Sequence, residues 1–212
     1  MGDFDLSIVN SCSGKVETDY YDIYFEMHDR VQNEFINQMQ DKWACEKAQN
    51  FFNNDFKGRM ESLIININSL YRYIIDVIFD EADSWARSTD WEFYPGTFET
   101  YSPYFDTSCI RTEINGIKGI DLDKSMDVVN ILRTLKANAE YFLKRTRETI
   151  NGCIFIDENK KEYIFESIDD VKTNLYNSLA GVFEDTEKYI KKTVEDYKDT
   201  RGIIERSFNE EN

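Results

Sequence analysis

NEFINQMQDKWACEKAQNFFNNDFKGRMESLIININSLYRYIIDVIFDEADSWAR, residues 33–87, reads as the end of one helix, a turn at Trp43-Ala44-Cys45, and a second, longer helix. In the longer helix Met60, Leu63, Ile67, Leu70, Ile74 and Val77 recur three and four apart, with Ile64, Tyr71, Ile78 and Trp85 beside them at intervals of seven. That spacing makes one broad apolar face. A helix of roughly 40 residues is about 60 Å long, and with such a face it is unstable bare in water, so it needs a partner of comparable length. The segment just upstream, Asp19 to Lys42, supplies Tyr20, Tyr24, Met27, Val31 and Phe35 at the same kind of spacing. The two are expected to fold back as an antiparallel helical hairpin. Ala48, Phe52 and Phe56, four apart, stack along one side just beyond the turn, and Gly58 costs only about 1 kcal/mol against alanine, too little to break the helix.

Working outward, residues 1–18 mix Ser, Gly and Asp with a few apolar positions and read as a flexible N-terminal arm. Residues 19–90 make the first helical hairpin. Residues 91–120 form a connector in which Trp91, Phe93, Tyr94, Phe98, Tyr101, Tyr104 and Phe105 crowd around Pro95, Gly96 and Pro103. A loop of this length is functional or packed down: either a lid laid over the helices or an exposed partner-binding patch. Within it, Cys109 to Ile120 alternates weakly and could be a short strand.

Residues 121–212 repeat the architecture. Asp121 or Asp123 can cap a helix on which Val128, Leu132, Leu135, Ala139, Phe142, Thr146 and Thr149 recur at four and three, a seam that packs on another long helix. Asn151-Gly152 ends it. Two β-prone runs, Cys153–Ile156 and Glu162–Phe165, flank the polar Asp157–Lys161 and predict a small β-hairpin. In the last helix Ile168, Leu175, Val182 and Tyr189 stand seven apart, Ile204 and Phe208 widen the face, and Asn209–Asn212 is expected to fray. The expected fold is mainly α: four long helices, as two antiparallel hairpins forming a bundle.

The bulk chemistry narrows the function classes. The chain has 41 acidic and 25 basic residues, a net charge of −16, which repels phosphate backbones and anionic lipid headgroups; no nucleic-acid partner is expected. No membrane span and no cleaved signal peptide are expected either. Cys12, Cys45, Cys109 and Cys153 form no C-x-x-C pair, so no zinc or redox motif is indicated, and they are expected to be reduced and partly buried. His28, the single histidine, has no second histidine or cysteine at ligand spacing and reads as a plain surface or half-buried residue. No P-loop, G-x-G-x-x-G, H-E-x-x-H or G-x-S-x-G occurs. Acid pairs such as Asp169-Asp170 read as a solvated helix face. No catalytic residue, metal or cofactor is expected.

A helical hairpin of about 100 residues with Trp at its turn, followed by an alanine and a phenylalanine series, resembles the WXG-motif proteins, the early-secreted-antigen-like substrates of type VII secretion. The matching residues are Trp43, Ala48, Phe52 and Phe56, and the resemblance covers Tyr20 to Arg87. Cys45 stands where the family has glycine, and no tyrosine here has the family's Asp or Glu four residues on. The resemblance implies a non-enzymatic protein exported without a cleaved signal. It implies too that the chain works through contacts with secretion machinery or a homologous helical protein, as a homodimer or as a tandem whose two hairpins imitate the dimer. The acidic surface supports a different expectation, a cytoplasmic binder such as an immunity protein or nucleic-acid mimic that neutralises a basic partner.

Overall fold

The computed structural model describes residues 3–115 and 117–210, with side chains as far as residue 198. The fold is mainly α, with four long helical rods. The first is α1 (Leu6–Tyr24), continued through π-helical turns at Phe25–Asp29 and Val31–Ile36 into α2 (Asn37–Met39). The second is α3 (Glu46–Asn50), a π-helical stretch at Phe51–Phe56, and α4 (Lys57–Ser88). The third and fourth are α5 (Leu122–Gly152) and α6 (Glu158–Glu210). Among the described residues the only sheet pairs β1 (Trp43–Ala44) antiparallel with β2 (Gly119–Ile120), Trp43 opposite Ile120 and Ala44 opposite Gly119.

The π-helical stretches have a cause in the sequence. Met27, Val31, Phe35 and Met39 follow one another in steps of four, as do Ala48, Phe52, Phe56 and Met60, and all eight are buried. At about 3.6 residues per turn, each step of four carries a side chain about 40° around the rod, so an α-helix would rotate the stripe out of the core. Wider turns with i→i+5 bonds absorb that drift. Asn37 N–H donates to the Gln32 carbonyl and Lys57 N–H to that of Phe52, five residues back in each case.

The chain divides into two compact units, each drawing on both expected hairpins rather than one apiece. The first comprises Met1–Asp29, Ser62–Pro103 and Leu135–Asn177; the second comprises Arg30–Glu61, Tyr104–Thr134 and Ser178–Asn212. In the first unit Val9, Val16 and Ile23 of α1, Ile64, Ile67, Ile74 and Ile78 of α4, Leu135, Ala139, Leu143 and Ile150 of α5, and Ile164, Ile168 and Leu175 of α6 are buried. Asp19, only 1% exposed, is paired with Arg145 and accepts from Thr146 Oγ1 at 3.1 Å, while Tyr71 Oη lies 2.8 Å from the same threonine oxygen. Burial pushes the Asp19 carboxyl up from its ordinary value, and the Arg145 guanidinium pulls it back only in part. In the second unit the core is aromatic: Phe35 packs 5.0 Å from Phe56, and Phe51 packs 4.9 Å from Tyr189 of α6.

Three expectations are corrected. Residues 1–18 are not a flexible arm: α1 begins at Leu6, capped by Asp5, whose side chain accepts from Ser7 N, and Val9, Cys12 and Val16 carry the stripe of Tyr20 and Ile23 backwards at helical spacing. The Cys153–Phe165 hairpin does not form. Phe155 stacks on Trp85 at 5.6 Å, Asp157 Oδ1 accepts from Asn159 N at 2.9 Å, and the run Glu162–Phe165 is already in α6, with Ile164 and Ile168 buried four apart. The cysteines are not all reduced: Cys12 and Cys153 form a disulfide across 141 residues, while Cys45 and Cys109 are free. The rod Glu46–Ser88 is, by length and composition alone, long and apolar enough to cross a membrane, and half of its most apolar stretch is buried in the protein. The side chains of Ile204 and Phe208, and residues Glu211 and Asn212 of the expected tail, lie outside the described residues.

Candidate functional site

Trp43 sits at the bend between the first and second rods and is fully buried. Its ring lies 5.8 Å from Phe51 and 6.0 Å from Phe52, and its Nε1 meets no acceptor among the described residues. The bend is tied to the connector by Asp121 N, which donates to the Lys42 carbonyl at 2.8 Å, next to the Trp43–Ile120 pair. Ala44 is buried too. Cys45 is extended at φ −168° and ψ 169°, a conformation open to any residue, so glycine is not required there. Its sulfur caps α3, accepting from Ala48 N at 3.4 Å. Ala48, Phe52 and Phe56 line the buried side behind it.

The connector opens with a helix stop. Trp91 N–H donates to the Ala86 carbonyl at 2.9 Å and Asp90 N–H to that of Arg87 at 3.3 Å, the paired hydrogen bonds of a Schellman cap, with Asp90 in the left-handed region at φ 59° where glycine is usual. Beyond it residues 91–107 belong to no helix or strand, so the helices supply partners from their side chains. In the first unit Tyr101 N–H donates to Tyr20 Oη at 2.7 Å and its carbonyl accepts from Asn68 Nδ2 at 2.9 Å, while Tyr20 Oη donates to Asn68 Oδ1 at 2.9 Å. Tyr24 Oη donates to the Ser102 carbonyl at 2.9 Å, and Arg72 Nη2 to Thr100 Oγ1 at 3.0 Å. Burial raises the Tyr20 and Tyr24 hydroxyls above the ordinary phenol value, keeping them neutral donors. His28, half-buried, stacks on Tyr24 at 4.8 Å, with Nδ1 2.9 Å from Asp29 Oδ1.

In the second unit Gln32 brackets the Asp106 peptide, its Oε1 accepting from the N–H at 2.9 Å and its Nε2 donating to the carbonyl at 2.9 Å. Phe105 N–H donates to Glu61 Oε1 at 3.2 Å, and Phe105, Thr107 and Ile110 are buried.

The connector is therefore a strap fastened by its backbone, and most of the expected patch faces outward. Trp91 (60%), Tyr94 (81%), Tyr101 (49%) and Tyr104 (70%) are exposed, whereas Phe93 and Phe98 are half-buried, Phe98 edge-on to Tyr20 at 5.2 Å. Trp91, Phe93 and Tyr94 also line a surface hollow of about 550 Å³ together with Asp3, Phe4, Asp5, Leu6, Ser7 and Glu92. The Trp43 bend and this hollow belong to different units and are separate features.

Among the described residues no group of three or more His, Cys, Asp or Glu side chains converges to hold a metal. The disulfide, the strap's helix-borne fasteners and the Phe4 contribution escaped sequence reasoning. Val9, Cys12, Val16, Tyr20 at helical spacing was the signal that could have placed the first 18 residues on a helix. The chain matches no family model, no curated protein and no solved structure.

Proposed function

We propose that this chain is an exported, non-enzymatic helical protein of the WXG-motif type that works by contact with another protein. The observation that carries the reading is the Cys12–Cys153 disulfide. Such bonds form and persist in oxidising surroundings and are rare in the reducing cytosol. Two features support it. Trp43 at the bend, with Ala48, Phe52 and Phe56 behind it, has the placement that the resemblance implies. The strap also leaves Trp91, Tyr94, Tyr101 and Tyr104 exposed, large side chains open to contact with a partner. Because segments of both hairpins share the core of each unit, the tandem supplies internally the packing that a dimer of single hairpins would make between copies.

The test is fractionation of the producing culture, with the state of the cysteines read on the protein recovered. Export predicts protein in the supernatant with two free thiols after denaturation under alkylation, and a Trp43→Phe variant that folds yet is exported poorly. Protein confined to the cell with four free thiols would overturn the reading in favour of the cytoplasmic acidic binder.

A further inference from the structure

The hollow beside the start of α1 combines two chemistries. Phe4 lies 5.1 Å from Trp85, 6.4 Å from Trp91 and 6.0 Å from Phe93, in edge-on and tilted contacts, and Trp91 and Tyr94 are 60% and 81% exposed. Tyr94 completes the aromatic wall, its hydroxyl donating to Glu92 Oε2 at 2.6 Å and holding that carboxylate beside the rings. Asp3, Asp5 and Glu92 are the carboxylates lining the hollow, and no Lys, Arg or His lines it. Asp3 makes no hydrogen bond or ion pair among the described residues. Asp5 is held below the usual carboxylate range by the Ser7 hydroxyl and N–H. It offsets the positive end of α1, so the hollow is not an anion site. The Schellman cap at Asp90 sets where Trp91 leaves the helix, so one wall rests on a defined backbone.

We propose that this hollow receives an arginine side chain presented by a protein partner. The proposal deepens the contact reading above and does not depend on export. An aromatic wall attracts a cation through its ring faces, and carboxylates at its rim pair with it. A guanidinium does both at once, stacking flat on a ring while forking two N–H groups onto a carboxylate. At about 550 Å³ the hollow has room for the whole side chain with its flanking backbone.

The purified, oxidised full chain is titrated with N-acetyl-argininamide, its neutral isostere N-acetyl-citrullinamide, and tetramethylammonium chloride, following the Trp91 indole N–H by NMR and assigning it with Trp91→Phe. Arginine is expected to give a saturable shift that citrulline does not. Glu92→Gln and Asp3→Asn, both exposed positions, should each weaken binding up to about fivefold, the range of exposed ion pairs. Equal shifts with citrulline, or no loss in the double variant, would overturn the proposal. Tenfold tighter binding of tetramethylammonium would overturn it too, assigning the hollow to a small quaternary ammonium compound. A chain that binds arginine here but is never exported would sink the export reading and leave this one standing.

Discussion

Removing the disulfide is the sharpest perturbation the structure offers. Cys12 and Cys153 are 141 residues apart, and closing a loop of that length in the unfolded chain removes an entropy worth about 5 kcal/mol at 25 °C in the chain-entropy picture. Measured bonds usually deliver about 2–4 kcal/mol, because real unfolded chains are already compact. Cys12→Ala/Cys153→Ala is therefore expected to lose about 3–5 kcal/mol, a large part of the roughly 5–15 kcal/mol a domain possesses. Alanine is the better replacement, since both sulfurs are buried and a serine hydroxyl would need a partner. Urea unfolding of the oxidised chain, the reduced chain and the double variant reads the loss. The oxidised chain should also show the smaller urea dependence, because its cross-linked unfolded state exposes less surface. Alkylation after denaturation should find two thiols, Cys45 and Cys109, before reduction and four after it. A loss below about 1 kcal/mol, or four thiols in unreduced protein from an oxidising compartment, would refute the reasoning.

Trp43→Ala should cost about 3–5 kcal/mol in urea unfolding, as for other large-to-small changes in a core; Trp43→Phe should cost markedly less, because the indole N–H has no bond to lose. Asp90→Gly should raise stability by about 0.5–1 kcal/mol, since glycine takes φ 59° without strain, and a loss on that substitution would contradict the cap geometry. The carboxyl carbon of Asp19 should titrate above the ordinary Asp range. Between its unfolded and folded pKa values the folded state then binds more proton, so its contribution to stability falls as pH rises through that window. A titration midpoint below the ordinary range would reverse that sign.

The rods were legible because burial writes itself at steps of three and four: Met60, Leu63, Ile67, Leu70 and Ile74 are all buried. Only a stricter count of the steps shows the wider turns, since three steps of four in succession, from Met27 to Met39 and from Ala48 to Met60, exceed what an α-helix holds on one face. Cys153–Phe155 misled because β-prone side chains at a helix junction look like a strand until Phe155 is seen packed on Trp85. The disulfide was hidden for a different reason: spacing along a chain carries no information about two sulfurs brought together by a fold. Cys45 stands where the resemblance has glycine at a turn, but its extended backbone and capping sulfur make it a helix start.

The strap shows why its exposed rings need no packing of their own to stay in place. A segment interrupted by Pro95 and Pro103 makes a poor central strand, and an unpaired peptide laid on a helical core would leave its N–H and C=O groups costly to bury. Tyr20 and Asn68 take both polar groups of Tyr101, and Gln32 takes both of Asp106. Attachment through the backbone lets Trp91, Tyr94 and Tyr104 stand largely in solvent. A chain that depended on those rings for stability would have turned them inward, as it did Phe105, which is 1% exposed. Their exposure is thus a property of how the strap is fastened, and in the first unit it leaves Trp91 and Tyr94 beside Glu92 as an aromatic and acidic surface.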